Sequence, residues 1–236
     1  MFVQYCVARY NEDVDWIASA ASSANVLIYN KGARLNLPNE LILPNVGRES
    51  HTYLHHIIEN YDSLCDITVF TQAKINDHGY EHDIRAFDNL IVQCQLHGHS
   101  KNYGTTNVAV NAINHTQTHF APDFNMLPEI SSSLHYNYMV DATEVTKIPF
   151  SEWFRNNTGY EYKDDVCIYV AGIFVMSKQQ ILTRPKEYYV SLHNQLCNHN
   201  APIEGHFMER SWYYVFRCGA NENNENTDNN DNKLKN

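Results

Sequence analysis

Val3-Gln4-Tyr5-Cys6-Val7-Ala8-Arg9-Tyr10-Asn11-Glu12-Asp13 is an apolar, β-branched run that stops in a polar, acidic turn. Such a run reads as a buried strand over residues 3–10. Residues 12–21 follow as a helix, with Asn11 as N-cap and acids in the first turn. Residues 26–29 make a second strand, closed by the turn Asn30-Lys31-Gly32. A loop of Leu and Pro leads to Asn45-Val46-Gly47. Residues 49–61 then place Tyr53, Leu54, Ile57 and Ile58 on one helix face, and residues 67–70 are a third strand. Strand, helix and strand joined by short turns predict an α/β fold: a mostly parallel, Rossmann-like sheet flanked by helices, in a single domain over residues 1–219.

Beyond this core the periodicity weakens. Residues 78–148 are polar and His-rich, which predicts short helices and long loops, the places where sites are usually built. Residues 166–176 are the most apolar run and read as a central strand. Pro185 suits the first turn of a helix reaching about Cys197. Residues 204–216 read as a final helix packing Phe207, Trp212, Tyr213 and Phe216. Asn, Asp, Glu and Lys dominate residues 221–236, where Leu234 is the lone apolar side chain, so a disordered tail is expected over 220–236.

Composition narrows the function. The 236 residues are 43% hydrophobic and 19% charged, as in a globular protein. A net charge of −10 argues against a nucleic-acid partner, which needs a concentrated basic surface. The tail sets four carboxylates against two lysines, so the body itself is acidic, and an anionic ligand must be met by a few placed cations or backbone amides. Six cysteines show no CxxC pair, and four sit in apolar contexts that read as buried free thiols. With no basic leader and no apolar stretch of membrane-spanning length, the chain reads as cytoplasmic, and the sequons at Asn114 and Asn156 as chance. GxSxG, Walker A, GxGxxG and Cys-His nucleophile patterns are absent, which leaves a hydrolase triad or a kinase without support.

Three segments together carry a resemblance: Val7-Ala8-Arg9-Tyr10-Asn11-Glu12-Asp13; Asn45-Val46-Gly47-Arg48-Glu49-Ser50-His51-Thr52-Tyr53-Leu54; and Gly172-Ile173-Phe174-Val175-Met176-Ser177 with Glu209-Arg210. In order and spacing, over roughly residues 3–217, they resemble uncharacterised glycosyltransferase-like proteins and, through them, the GT-A fold of nucleotide-sugar transferases. The resemblance implies a nucleotide-sugar donor and a glycan or other hydroxyl acceptor. It implies an Asn-acid turn after the first strand, an Asn-x-Gly turn opening a helix, and a late carboxylate, here Glu209, as base. An Asp-x-Asp pair should close the third strand, and Thr71-Gln72 stands there instead. Neither side chain is the hard anionic oxygen that Mg²⁺ or Mn²⁺ prefers. A metal-independent transferase is therefore expected. The alternative is a nucleotide- or glycan-binding protein that kept the fold without catalysis.

Each candidate has a plainer reading beside it. Arg9, Asn11 and Glu12 lie at the carboxyl end of the first strand, where open α/β sheets bind ligands. Alternatively Asn11 caps a helix while Arg9 pairs with Glu12 or Asp13. Asn45, Gly47 and Arg48 open a helix whose amides and dipole attract phosphate, or form a plain turn in which Arg48 pairs with Glu49. Gln72, His78 and Gly172 are candidate substrate contacts. His51 is another, and it also stands four residues from His55, a spacing shared with metal ligands; His78 and His82 repeat it. Among 13 histidines such pairs arise by chance, no complete four-ligand zinc pattern is present, and no metal ligand is assigned. A metalloenzyme built on His51, His55, His78 and an acid is the remaining rival. Glu209-Arg210 is either the base with a substrate-binding arginine or an ion pair on a buried helix.

Overall fold

Residues 1–19, 25–75, 84–97, 150–162 and 172–217 are described by a computed structural model. At its centre is β1 (Val3–Arg9), the strand of the opening run. It pairs in parallel with β2 (Val26–Asn30) on one side and β4 (Ile67–Gln72) on the other. β3 (Glu40–Ile42) adds in parallel to β2, and β5 (Phe174–Ser177) pairs antiparallel with β4. The described sheet thus has the order β3-β2-β1-β4-β5.

Alternation along the strands sorts the core onto two faces, because successive side chains point to opposite sides of a sheet. Cys6, Ala8, Tyr29, Phe70, Phe174 and Met176 join one cluster. It is completed by α2 (Arg48–Asn60), α4 (Phe150–Thr158), α5 (Lys178–Ile181), α6 (Lys186–Asn194) and α7 (Ile203–Val215). On the other face, Ile67, Val69 and Val175 meet Phe87, Leu90 and Cys94 of α3 (Ile84–His97). Val7 and Ile28 meet Ile17 of α1 (Trp16–Ser19) there. A mixed α/β layering with one sheet between helices follows directly from that pattern.

α7 buries the residues its sequence pattern selects. Trp212 has no exposed surface and packs against Phe174 at 5.2 Å, Phe216 at 5.7 Å and Tyr53 of α2 at 5.9 Å between ring centroids. α2 is buried far more widely than its apolar face predicts. His51, Thr52 and His56 are buried beside Tyr53, Leu54 and Ile57.

Several elements differ from expectation. The helix expected from residue 12 starts only at Trp16, as α1, and residues 20–21 of that expectation lie outside the described residues. Asn11 does not cap it; its Oδ1 accepts the amide of Ala33 at 2.9 Å. The Leu-Pro loop contains β3, where Glu40 accepts the amides of Leu35 at 2.9 Å and Asn36 at 2.8 Å. Those bonds hold its carboxyl below the ordinary range. The polar middle segment contains a 14-residue helix, α3. The apolar run of residues 166–176 contributes β5, which pairs with β4 alone among the described residues and antiparallel to it. Its first part, the sequon at Asn114 and the tail of 220–236 lie outside the described residues. Cys6 and Cys94 are buried, whereas Cys65 is half-buried and Cys197 exposed. Among the described residues, no helix is long and apolar enough to cross a membrane.

Candidate functional site

At the carboxyl end of β1, Arg9 is only 7% exposed, and its Nε and Nη1 are both engaged by neighbouring turns. Its Nε donates to the carbonyl of Glu12 at 2.8 Å. Its Nη1 donates to the carbonyls of Tyr10 at 3.1 Å and Ala33 at 2.8 Å, and to Asn30 Oδ1 at 2.8 Å. Glu12 turns back to accept the amide of Tyr10 at 2.7 Å. Together with the Asn11–Ala33 bond, these contacts lace the β1 turn to the turn after β2. Arg9 therefore meets the backbone of Glu12 rather than its carboxylate, and organises the loop. Across the strand end, Thr71 is fully buried and donates to the carbonyl of Gln72 at 2.9 Å.

Gly47 and Arg48 start α2 in the left-handed region, with φ of 60° and 50°. A helix start normally presents free amides to a ligand. Here Gly47 donates to the carbonyl of His199 at 2.8 Å and Arg48 to that of Asn200 at 3.2 Å. The segment before α7 thus takes up the amides of Gly47 and Arg48 that were expected to meet a phosphate. Asn45 lies just upstream in the same turn. Lys31 reaches in from the turn after β2 and donates Nζ to the carbonyls of Val46, at 2.5 Å, and Arg48. Burial pulls its ammonium down to about 8, against a favourable pull from Glu49.

The side chains of this corner form a charged cluster. Arg48 Nε lies 3.8 Å from Glu49 Oε2, so the Arg48–Glu49 pairing open in the sequence is realised. Arg48 Nη1 also lies 3.4 Å from Nε2 of His206. Arg210 Nη1 lies 3.9 Å from Glu209 Oε2 and donates to the carbonyl of His206 at 2.7 Å. Burial raises the Glu49 carboxyl; Arg48 works against that shift and Glu209 adds to it. Arg48 is held above its usual range, chiefly by Glu49. Gly172, just before β5, faces the same carboxylate: a Cβ built there would lie 3.6 Å from Glu49 Cγ. Since β5 runs antiparallel to β4 with Phe174 opposite Phe70, Gly172 lies towards the Gln72 end of the sheet. The structure therefore brings Gly47, Arg48, Gly172, Glu209 and Arg210 together. Glu49 and His206 complete the cluster, and no sequence signal beyond neighbourhood to Arg48 and Glu209 marks them. His51 lies one helical turn from Gly47, where its ring packs against His193 at 4.3 Å between centroids. His78 and His82 lie outside the described residues.

Buried imidazoles, His206 and His56 among them, are expected to make the fold acid-sensitive. Burial, helped by Arg210 and Arg48, lowers His206 from 6.5 to about 3, with Glu209 opposing. Burial beside His55 lowers His56 from 6.5 to about 4, and its Nδ1 pairs with the Tyr29 hydroxyl at 2.9 Å. Both are neutral in folded and unfolded chains well above pH 6.5, so they add no pH dependence there. As pH falls below that value, the unfolded chain takes up protons first and stability drops. The expected loss is about 1 kcal/mol per pH unit for each ring. Urea midpoints measured between pH 7.5 and pH 5 check this, and His56→Gln should flatten the slope.

A mixed α/β protein with one sheet between helices, and a half-buried Arg-Glu-His cluster at the sheet's carboxyl edge, is the class these features define. Over residues 6–230 the chain matches the family described as "Protein of unknown function (DUF3431)", and it belongs to that family. No curated protein and no solved structure matches it.

Proposed function

We propose that this protein is a glycosyltransferase of GT-A type that moves a sugar from a nucleotide-sugar donor to a hydroxyl acceptor without a divalent cation. The observation that supports this reading most is the joining of Arg48, Glu49, Gly172 and Glu209 at one corner. It lies at the carboxyl edge of a sheet in which β2 and β4 flank β1, the crevice where open α/β sheets hold ligands. In the proposed reaction the acceptor oxygen attacks the anomeric carbon and its proton passes to Glu209. The bond from that carbon to the diphosphate breaks, and the departing charge is met by Arg48 and Arg210. Glu49 holds Arg48, and the left-handed φ of Arg48 is strain of the kind that functional sites retain.

Calorimetric titration with nucleoside diphosphates in excess EDTA tests the reading, and binding should persist without metal. Arg48→Ala should weaken the diphosphate relative to the matching nucleoside by about 1.5–3 kcal/mol, the size of a charge-assisted contact. Equal losses for both ligands would remove Arg48 from the phosphate site. The second reading is a non-catalytic nucleotide- or glycan-binding protein. The buried Thr71 and the fully engaged Arg9 turn favour it, and tight binding without donor turnover would select it.

A further inference from the structure

Along α2 from the charged cluster, side chains from two distant segments converge: His51 of α2, and His193 and Cys197 at the end of α6 and just after it. One ligand atom from each of His51, His193 and Cys197 lies within 4.8 Å of the other two. We propose that these residues bind a borderline-soft divalent metal ion, with zinc as the type. The site is separate from the sugar-transfer cluster and does not depend on that reading.

Both imidazoles carry a nitrogen that nothing satisfies. His51 is 3% exposed, and its Nδ1 and the buried Nε2 of His193 have no hydrogen-bond partner among the described residues. A buried ring nitrogen of this kind calls for a partner, which a water or an ion can supply. The two rings lie 4.3 Å apart between centroids, with His55 at 6.3 Å from His51 and 6.1 Å from His193. Cys197 Sγ lies 3.6 Å from Nδ1 of His193 and donates to the His193 carbonyl at 3.2 Å, so a flip of the imidazole ring decides whether Nδ1 or the unsatisfied Nε2 faces the thiol. Zinc with bonds of about 2.0–2.3 Å sets tetrahedral ligands roughly 3.3–3.8 Å apart, so small side-chain rotations close the triangle.

The charges facing the site do not forbid a cation. Lys31 is the nearby positive group, but its ammonium is tied to the carbonyls of Val46 and Arg48. Glu59 acts on His55 and His193 in the opposite sense. Burial raises the Cys197 thiol, and Lys31 opposes that shift. On binding, the thiol releases its proton to solvent and the thiolate takes up one positive charge of the ion. A thiolate with two imidazoles selects zinc over magnesium, calcium or manganese, so this is not a diphosphate-holding hard cation. Three protein ligands leave one coordination position for water or an added ligand. Cys197 is exposed while His51 is buried, so the site opens to solvent on the Cys197 side.

The test uses the full chain, stripped with a chelator and titrated with Zn²⁺ by calorimetry and with Co²⁺ by absorption. One equivalent of Zn²⁺ should bind and raise Tm, and Co²⁺ should give thiolate-to-metal charge-transfer absorption. Cys197→Ser, at an exposed position that leaves folding intact, should abolish that absorption. It should also weaken zinc roughly 10-fold or more, at least the cost of losing an outer-shell partner. His193→Gln should weaken zinc similarly, while Mg²⁺ and Mn²⁺ should not bind here in any variant. Substoichiometric zinc, no charge-transfer band, or unchanged affinity in Cys197→Ser would overturn the assignment.

Discussion

Gly47→Ala is expected to destabilise the protein by about 2–5 kcal/mol, from left-handed backbone strain and overpacking together. At φ of 60° an L side chain is strained whatever the space around it. Here the space is also missing. A Cβ at Gly47 would lie 2.6 Å from His51 Cβ, 2.7 Å from Leu196 Cβ and 2.7 Å from the Leu196 carbonyl oxygen. Two of these neighbours are branch points on rigid backbone and the third is backbone itself, so relief requires α2 and the segment after α6 to separate. Gly159→Ala is the internal control. Its φ is 81°, yet nothing lies within 4 Å of the added carbon, so only the strain of about 1–2 kcal/mol remains. Urea denaturation of the two variants checks the difference, and equal losses would mean that contact at Gly47 contributes nothing.

The parallel centre of the fold was legible because β1, β2 and β4 are short apolar runs separated by strong turn signals. α2 and α7 were legible from spacing, and the structure moves each boundary by about a residue. β3 was not, since three residues between Pro38 and Pro44 carry no periodicity, and Leu41 and Ile42 are 43% and 49% exposed. α1 was overextended because Asn11 and the acids after it look like a helix start. Their polar groups are used across the chain instead, by Ala33 and by the Tyr10 amide. The antiparallel sense of β5 has no local sequence signature, because direction is set by where the preceding chain returns.

The charged corner was half legible. Gly47, Arg48 and Glu209 sit in segments whose order suggested a site, and the fold brings them together with Gly172. What sequence could not convey is that the amides of Gly47 and Arg48 are spent on the carbonyls of His199 and Asn200. Arg9 is the reverse case. Its acceptors are mostly carbonyls contributed by two turns, and backbone acceptors leave no trace in residue identity. The His51–His193–Cys197 convergence was also invisible, since it depends on how α6 and its following segment lie against α2.

Glu209→Gln should lower kcat for sugar transfer by about 10²–10⁴-fold with donor affinity nearly unchanged, because a general base acts mainly in the transition state. The geometry sharpens the rival explanation. Arg210 is 9% exposed on its side chain and Glu209 34%, and their closest approach is 3.9 Å. Arg210 also donates at 2.7 Å to the carbonyl of His206, so its charge is held by more than Glu209. A partly exposed carboxylate at that distance supports the fold weakly. Glutamine keeps the size and polarity of the side chain, so the stability cost should stay within about 1 kcal/mol. A buried, obligatory ion pair would instead cost roughly 3–5 kcal/mol on losing one partner. Glu49 supplies the second arm. Its carboxyl is raised by burial and further by Glu209, so neutralising Glu209 should let Glu49 ionise at lower pH, and the acidic limb of binding should move down with it. Urea titration, donor titration and initial rates on the same preparation separate these outcomes. A folded Glu209→Gln protein with undiminished transfer would take this residue out of the mechanism and leave Glu49 as the carboxylate to replace next.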